Sequence, residues 1–383
     1  MAMLQGIRIV DLTTVIFGPY ATQMLADLGA EVIKIETAQG DTPRLMGRSR
    51  TTPKMGGTHL TVNRGKRSIQ LDLKNEADAA VLRKLLETAD VFVHNVRGKA
   101  IERLGFGYDA VKAIKPDVIY AHFCGFGQDG PYADWPAYDD VIQAASGTTS
   151  LLSRVDGDPR PRYFPSLVAD KVSGTYGAQA ILAALVHKLR TGEGQHVEVP
   201  MLECFTSFTL TEHLQDGVFD PPIGPLGYPR QLDPARQPFP TADGRYLTIV
   251  PYTDDKIVRL FALFGDPEFI AREPYDTPVG RCLNMTAIYA RIAELTMNWQ
   301  ADALVAMLLA EDYPVMEARD LDDVMNEPHL AATGFFRRRE HPTEGPILEM
   351  RPPVRYSAYA YPELGTAPTL DQDGDAIRDA LDR

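Results

Sequence analysis

Apolar and polar positions in the first third of the chain alternate between two periods. Residues 7–12 form a β-branched, apolar run that predicts a buried strand, and Gly18-Pro19 then opens a helix. The apolar positions Ala21, Met24, Leu25 and Leu28 recur about every 3.6 residues along that helix. Gly29 ends it, and residues 31–36 predict a second strand. Strand, helix and strand within about 30 residues make a βαβ unit, whose crossover is right-handed in a parallel sheet. Further strands are predicted at 68–71, 91–94, 118–123 and 196–199, with helices at 77–88 and 166–189. This alternation gives an α/β fold built on a large Rossmann-like domain. The polar stretch 37–64 predicts a long excursion, of a length that is usually functional or disordered.

The pattern changes after residue 219. Residues 220–240 are rich in Pro and Gly with little periodicity, and read as a linker. A strand near 246–250 and helical patterns at about 254–264, 284–297 and 301–310 predict a smaller α+β domain over 241–327. Residues 328–383 are expected to form a return linker and a C-terminal segment that packs back on the large domain, 1–219.

Composition narrows the function. Of 383 residues, 44% are hydrophobic and 24% charged, which suits a globular protein. The formal net charge of −13 argues against a nucleic-acid partner, which calls for surplus Lys and Arg. Cys124, Cys204 and Cys282 are odd in number and far apart, so neither a disulfide framework nor a zinc knuckle is indicated. They read as small buried apolar residues in a reducing compartment. No apolar run approaches about 18 residues and the start is no signal peptide, so a cytoplasmic protein without a membrane partner is expected.

Gly125-Phe-Gly-Gln-Asp-Gly130 matches a dinucleotide fingerprint, but Pro131 and Pro136 make the next segment a loop rather than a helix. It reads as a Gly-rich turn able to line a pocket. The eight histidines show no metal-ligand spacing, and no redox-cofactor motif is present, so neither a metal nor a redox cofactor is expected. Arg64, Lys66, Arg67, Lys74, Arg97, Lys99 and Arg103 cluster near predicted strand ends. They read either as solvated turn charges or as an electropositive rim for a phosphorylated ligand. Asp170 reads as a helix-start carboxylate, and Tyr138 and Asp139 as the beginning of another helix.

Taken together, several ordered motifs resemble family III CoA-transferases over nearly the whole chain. They are Gly6-Ile-Arg-Ile-Val-Asp-Leu12, Gly18-Pro-Tyr-Ala-Thr-Gln23, Leu28-Gly-Ala-Glu-Val-Ile-Lys-Ile-Glu36, Gly65-Lys-Arg-Ser-Ile-Gln-Leu-Asp-Leu-Lys74, Gly125-Phe-Gly-Gln-Asp-Gly-Pro131, the segment 164–174 and Thr191-Gly-Glu-Gly-Gln-His-Val-Glu-Val199. The resemblance implies that Asp170 is the catalytic nucleophile and that coenzyme A is the co-substrate. It implies CoA contacts at Val15, Leu71, Lys74, Asn95 and Arg103, and substrate contacts at Tyr138 and Asp139. It also implies an interlocked, ring-like homodimer acting on an acyl-CoA and a small carboxylic acid. Thr37 and Pro136 depart from the formyl-CoA transferase pattern, as does the lack of a clear Gly-rich loop between 220 and 240. An α-methylacyl-CoA racemase-type isomerase is the alternative within the superfamily. Tyr138 stands at that enzyme's histidine position, and an unperturbed tyrosine, with a pKa of about 10, is a poor base near neutral pH. A catalytically silent CoA-binding protein is the third reading.

Overall fold

The computed structural model describes residues 2–382. The chain divides into two compact units, one made of 1–149, 163–210 and 329–383 and the other of 150–162 and 211–328.

The first unit is built on six parallel strands: β1 (Arg8–Leu12), β2 (Glu31–Glu36), β3 (Arg67–Gln70), β4 (Val91–His94), β5 (Ile119–Cys124) and β6 (Gln195–Pro200). Their spatial order is β3-β2-β1-β4-β5-β6, the order of the doubly wound dinucleotide folds. Alternate residues of each strand enter two cores. Ile9, Val91, Val93, Ile119 and Phe123 face one, which they share with α1 (Phe17–Asp27). Val10, Ile33, Ile69, Phe92 and Tyr120 face the other. There they meet Leu82, Leu85 and Leu86, which lie beyond the short helix α2 (Gly57–Val62), in α3 (Glu76–Glu87). Ile101 of α4 (Gly98–Arg103) and Val111 of α5 (Tyr108–Ile114) complete that layer.

The excursion over 37–64 is ordered because charges tie it down. Arg44 pairs with Glu36 at 2.7 Å, both fully buried. Glu344 accepts hydrogen bonds from the backbone N–H groups of Arg50, Thr51 and Thr52, each at 2.9 Å. The C-terminal helix Gly374–Leu381 belongs to the same unit. Just before it, Asp373 and Asp371 accept the N–H groups of Ser68 and Gln70, which satisfies the outer edge of β3.

After β5 come α6 (Asp139–Ala145) and, in the second unit, α7 (Leu151–Asp156). The long α8 (Val168–Thr191) and α9 (Met201–His213) flank β6 in sequence. The second unit also holds an antiparallel sheet of β7 (Phe239–Pro240), β8 (Tyr246–Ile249) and β9 (Val315–Glu317). Its core is formed by Leu247, Ile249, Leu260, Phe261, Ile288, Ile292, Leu304 and Leu308. Among the described residues no helix is long and apolar enough to cross a membrane. Of the cysteines, only Cys124 is buried, while Cys204 is partly buried and Cys282 exposed, so the expectation of three buried residues is corrected. Cys282 lies in the last turn of the short helix Pro278–Leu283, where its side chain meets solvent.

Candidate active site

In an open parallel sheet, ligands bind beyond the carboxyl ends of the strands, where neighbouring strands lead off in opposite directions. Here that point lies between β1 and β4. The turn after β1 and the turn after β4 are stitched together there. Asn95 Oδ1 accepts the Thr14 N–H and Asn95 Nδ2 donates to the Thr14 carbonyl, both at 2.9 Å. Val15 adopts φ 68°, a left-handed conformation that is rare for a β-branched residue. Its N–H donates to Asp41 Oδ1 at 2.8 Å. Asp41 in turn pairs with Lys34 at 2.9 Å, and Lys34 Nζ donates to the Thr13 carbonyl. Both side chains of that pair are fully buried. The pair holds the turn in place from beneath, against a backbone cost on the order of 1–3 kcal/mol.

Asp170 enters from α8. This helix lies close against α1 and β5 because glycines occupy the contact. A Cβ on Gly174 would stand 2.8 Å from the Phe17 carbonyl oxygen, and one on Gly177 would stand 2.3 Å from the Phe123 ring. Asp170 is in the first turn of α8, where backbone N–H groups lack helical partners. Asp139 supplies one partner from the start of α6, its Oδ1 accepting the Asp170 N–H at 3.0 Å. Its Oδ2 accepts from Gln143 at 2.6 Å, and Gln143 also accepts the Phe164 N–H. Burial pushes the Asp170 carboxyl up to about 7, and the charge of Asp139 adds to the rise.

Val15, Asn95, Tyr138 and Asp170 line one cavity of about 510 Å³, a size suited to a small-molecule ligand. Tyr138 caps α6 and is 65% exposed, so its ring is free to meet a ligand. Asp139 is buried behind Asp170 rather than in the cavity wall. Leu71 and Lys74 line a second cavity of about 230 Å³, which shares Thr14 with the first. Arg103 lines an open groove of about 610 Å³ that shares Gly98, Gln128 and Ala133 with the first. The eight residues singled out in the sequence thus fall on three adjoining hollows and the carboxylate behind one of them.

The basic cluster divides. Arg64 and Lys66 are buried in pairs with Asp27 and Asp11, so they contribute no rim. Arg67 pairs with Glu31, and Lys99 with Asp134. Lys74, Arg97 and Arg103 are exposed and make no ion pair with another described residue. The Gly-rich turn lines the first cavity through Gly125, but its N–H groups at Gly127 and Gln128 are engaged by Glu203 and Glu198. They are therefore not free donors for a ligand.

His122 and Cys124 carry no signal in the sequence, yet both line the first cavity. Burial, helped by the neighbouring His196, lowers the His122 ring to about 4, so the ring is neutral near pH 7. His122, Cys124 and Glu198 bring three potential metal-ligand atoms within 4.8 Å of one another. Metal-site spacings are read along one segment, whereas this group joins two strands whose registered residues, such as His122 and Glu198, are 76 positions apart.

The fold and sequence match known proteins throughout their length. The succinate–glutarate CoA-transferase of Agrobacterium fabrum is 32% identical over 94% of this chain and 93% of its own length. The acetyl-CoA:oxalate CoA-transferase of Acetobacter aceti is 32% identical over 97% of this chain and 94% of its own. A CAIB/BAIF family protein from Brucella suis superposes with a TM-score of 0.84 at 30% identity, covering 99% of both chains. With the family model matching residues 4–374, the chain belongs to CoA-transferase family III and is an acyl-CoA:carboxylate CoA-transferase.

Proposed function

We propose that Asp170 is the covalent nucleophile that carries CoA from an acyl-CoA donor to a carboxylic acid acceptor. The observation that carries this reading is a buried carboxylate on the wall of a ligand-sized cavity at the strand-order reversal. Val15 and Asn95 contact the pantetheine arm in the first cavity, and Leu71 lines the place for the adenosine end in the second. Lys74 and Arg103, which make no ion pair with another described residue, hold CoA phosphates. Tyr138 meets the acyl group, and Asp139 positions Asp170 through its backbone N–H.

In the first step an Asp170 carboxylate oxygen attacks the thioester carbonyl. The C–S bond breaks, leaving an aspartyl–acyl anhydride and CoA thiolate. The thiolate then attacks the Asp170 carbonyl and expels the donor as its carboxylate, giving an aspartyl-CoA thioester. The acceptor carboxylate attacks that carbonyl, forming a new anhydride and releasing thiolate. Attack of the thiolate on the acceptor carbonyl yields the new acyl-CoA and restores Asp170. A carboxylate is a weak nucleophile in water, so exclusion of water by the cavity and fixed positioning raise its reactivity.

The relatives named for succinate, glutarate and oxalate make small dicarboxylic acids the first acceptors to screen. Two chains are proposed to interlock as a homodimer, with 1–219 as the CoA-binding and catalytic domain and 241–327 as the small domain. The three cysteines are free, which fits a reducing, cytoplasmic setting.

Incubation with acyl-CoA and hydroxylamine, followed by peptide mass spectrometry, is expected to place the hydroxamate on Asp170. Asp170→Ala should bind CoA and fold normally yet show no turnover. A label on another residue, or full turnover by Asp170→Ala, overturns the reading. Deuterium wash-in at the acyl α-carbon without CoA exchange replaces it with isomerisation, since His122 shares the cavity with Asp170.

A further inference from the structure

β5 and β6 end side by side at the carboxyl edge of the sheet. Residues two apart in a strand face the same side, so His122 and Cys124 project together. His122 pairs in register with Glu198 of β6, which brings a third donor to that face. One ligand atom from each of the three lies within 4.8 Å of the others. His122 is 5% exposed, and its Nε2 is buried with no hydrogen-bond partner among the described residues. A ring nitrogen shielded from water, left without a partner and set near a thiol and a carboxylate is available to a metal ion. Glu203 adds a second carboxylate beside Cys124, so the local field attracts a cation.

We propose that His122, Cys124 and Glu198 bind a thiophilic divalent cation of the Zn²⁺ class, with an open coordination position toward the cavity that holds Asp170. Sulfur, imidazole and carboxylate together select Zn²⁺ or Co²⁺ over Mg²⁺ or Ca²⁺, which take oxygen ligands. On binding, Cys124 loses its thiol proton to solvent and the Sγ–metal bond forms. Three protein ligands leave a fourth position, and the two cavity-lining ligands, His122 and Cys124, turn that position toward the cavity. The consequence for catalysis rests on the proposed function, in which this cavity takes the pantetheine arm. CoA thiolate is then a ready fourth ligand, and an occupied site blocks transfer.

The test is titration of metal-stripped, full-length protein with CoCl₂ and then ZnCl₂, without CoA or acyl-CoA. One equivalent of Co²⁺ per chain is expected, with a thiolate-to-cobalt charge-transfer band that Zn²⁺ abolishes. Cys124→Ser should lose the band and bind Zn²⁺ at least about tenfold more weakly by equilibrium dialysis. Glu198→Gln, a change at an exposed side chain, should keep the band while weakening binding. Cys282→Ser should retain both, since that exposed cysteine is outside the site. Absence of a Co²⁺ equivalent at millimolar metal, or unchanged affinity in Glu198→Gln, overturns the site. In the activity arm Zn²⁺ should inhibit transfer and EDTA restore it; full transfer at saturating Zn²⁺ overturns the open position toward the cavity. The Co²⁺ titration needs no turnover, so a failed transfer reaction and a failed metal site are read separately.

Discussion

At Asp170, burial and then the charge of Asp139 raise the carboxyl from 3.8 to about 7. The nucleophile is the ionised form, so the single-turnover rate of CoA transfer should climb with pH through about 7 and level off above it. Asp139→Asn removes the second cause while its amide oxygen still accepts the Asp170 N–H. That variant should shift the rising limb to lower pH, and a stopped-flow pH profile checks it. The same rise bears on stability. A carboxyl with a raised folded-state value is favoured protonated, so it opposes folding increasingly as pH climbs from 3.8 to about 7. The full difference corresponds to about 4 kcal/mol as an upper bound. Asp170→Asn should therefore be more stable than the parent at pH 8, with the gain gone near pH 4, as read by urea unfolding at the two values. In the sequence, Asp170 stands out only as a helix-start carboxylate and through its family resemblance. Gln143, the partner of Asp139, carries no motif, because it ties α6 to Phe164 and Ser166, and these meet only after folding.

The elements that position Asp170 depend on close approach between α8 and α1. Gly174→Ala places a methyl group 2.8 Å from the Phe17 carbonyl oxygen, a backbone atom that moves only with its helix. The expected loss is about 1–3 kcal/mol of stability by thermal or urea unfolding. The turnover number should fall more than CoA affinity, since Leu71, Lys74 and Arg103 lie on other elements. Buried parallel strands announce themselves as continuous apolar runs, which is why 31–36 and 91–94 are legible with the bounds they have in the structure. The long helix predicted at 166–189 runs Val168–Thr191, because its N-terminal turn begins only after the segment tied down by Gln143. Inside the excursion, α2 leaves no trace in the pattern. Its six residues, Gly57–Val62, are too few to show a period, and its place is set by contacts far away in sequence, such as His59 to the Pro368 carbonyl at 2.9 Å. Strand order is equally hidden, since local pattern carries no information on which strands are neighbours.

Across the whole molecule, a net charge of −13 opposes the approach of a polyanion such as CoA. The exposed Lys74, Arg97 and Arg103, with no ion pair to another described residue, offer cations able to meet it. Arg64 and Lys66, which the sequence groups with them, are spent on buried pairs, so charge counting along the chain overstates the rim. If Lys74 and Arg103 hold phosphates, each contributes a charge-assisted contact worth on the order of 1.5–3 kcal/mol. Lys74→Ala and Arg103→Ala should then each raise KM for acyl-CoA by about ten- to a hundredfold, with turnover at saturation nearly unchanged. Those contacts are exposed and are screened over a Debye length of about 10 Å at 0.1 M salt and about 3 Å at 1 M. KM for acyl-CoA should thus rise as salt increases, and less steeply in the Arg103→Ala variant than in the parent. Steady-state kinetics over a range of NaCl concentrations, with acceptor saturating, separate this from a change in fold. A salt slope equal in parent and both variants would show that the phosphates are held elsewhere.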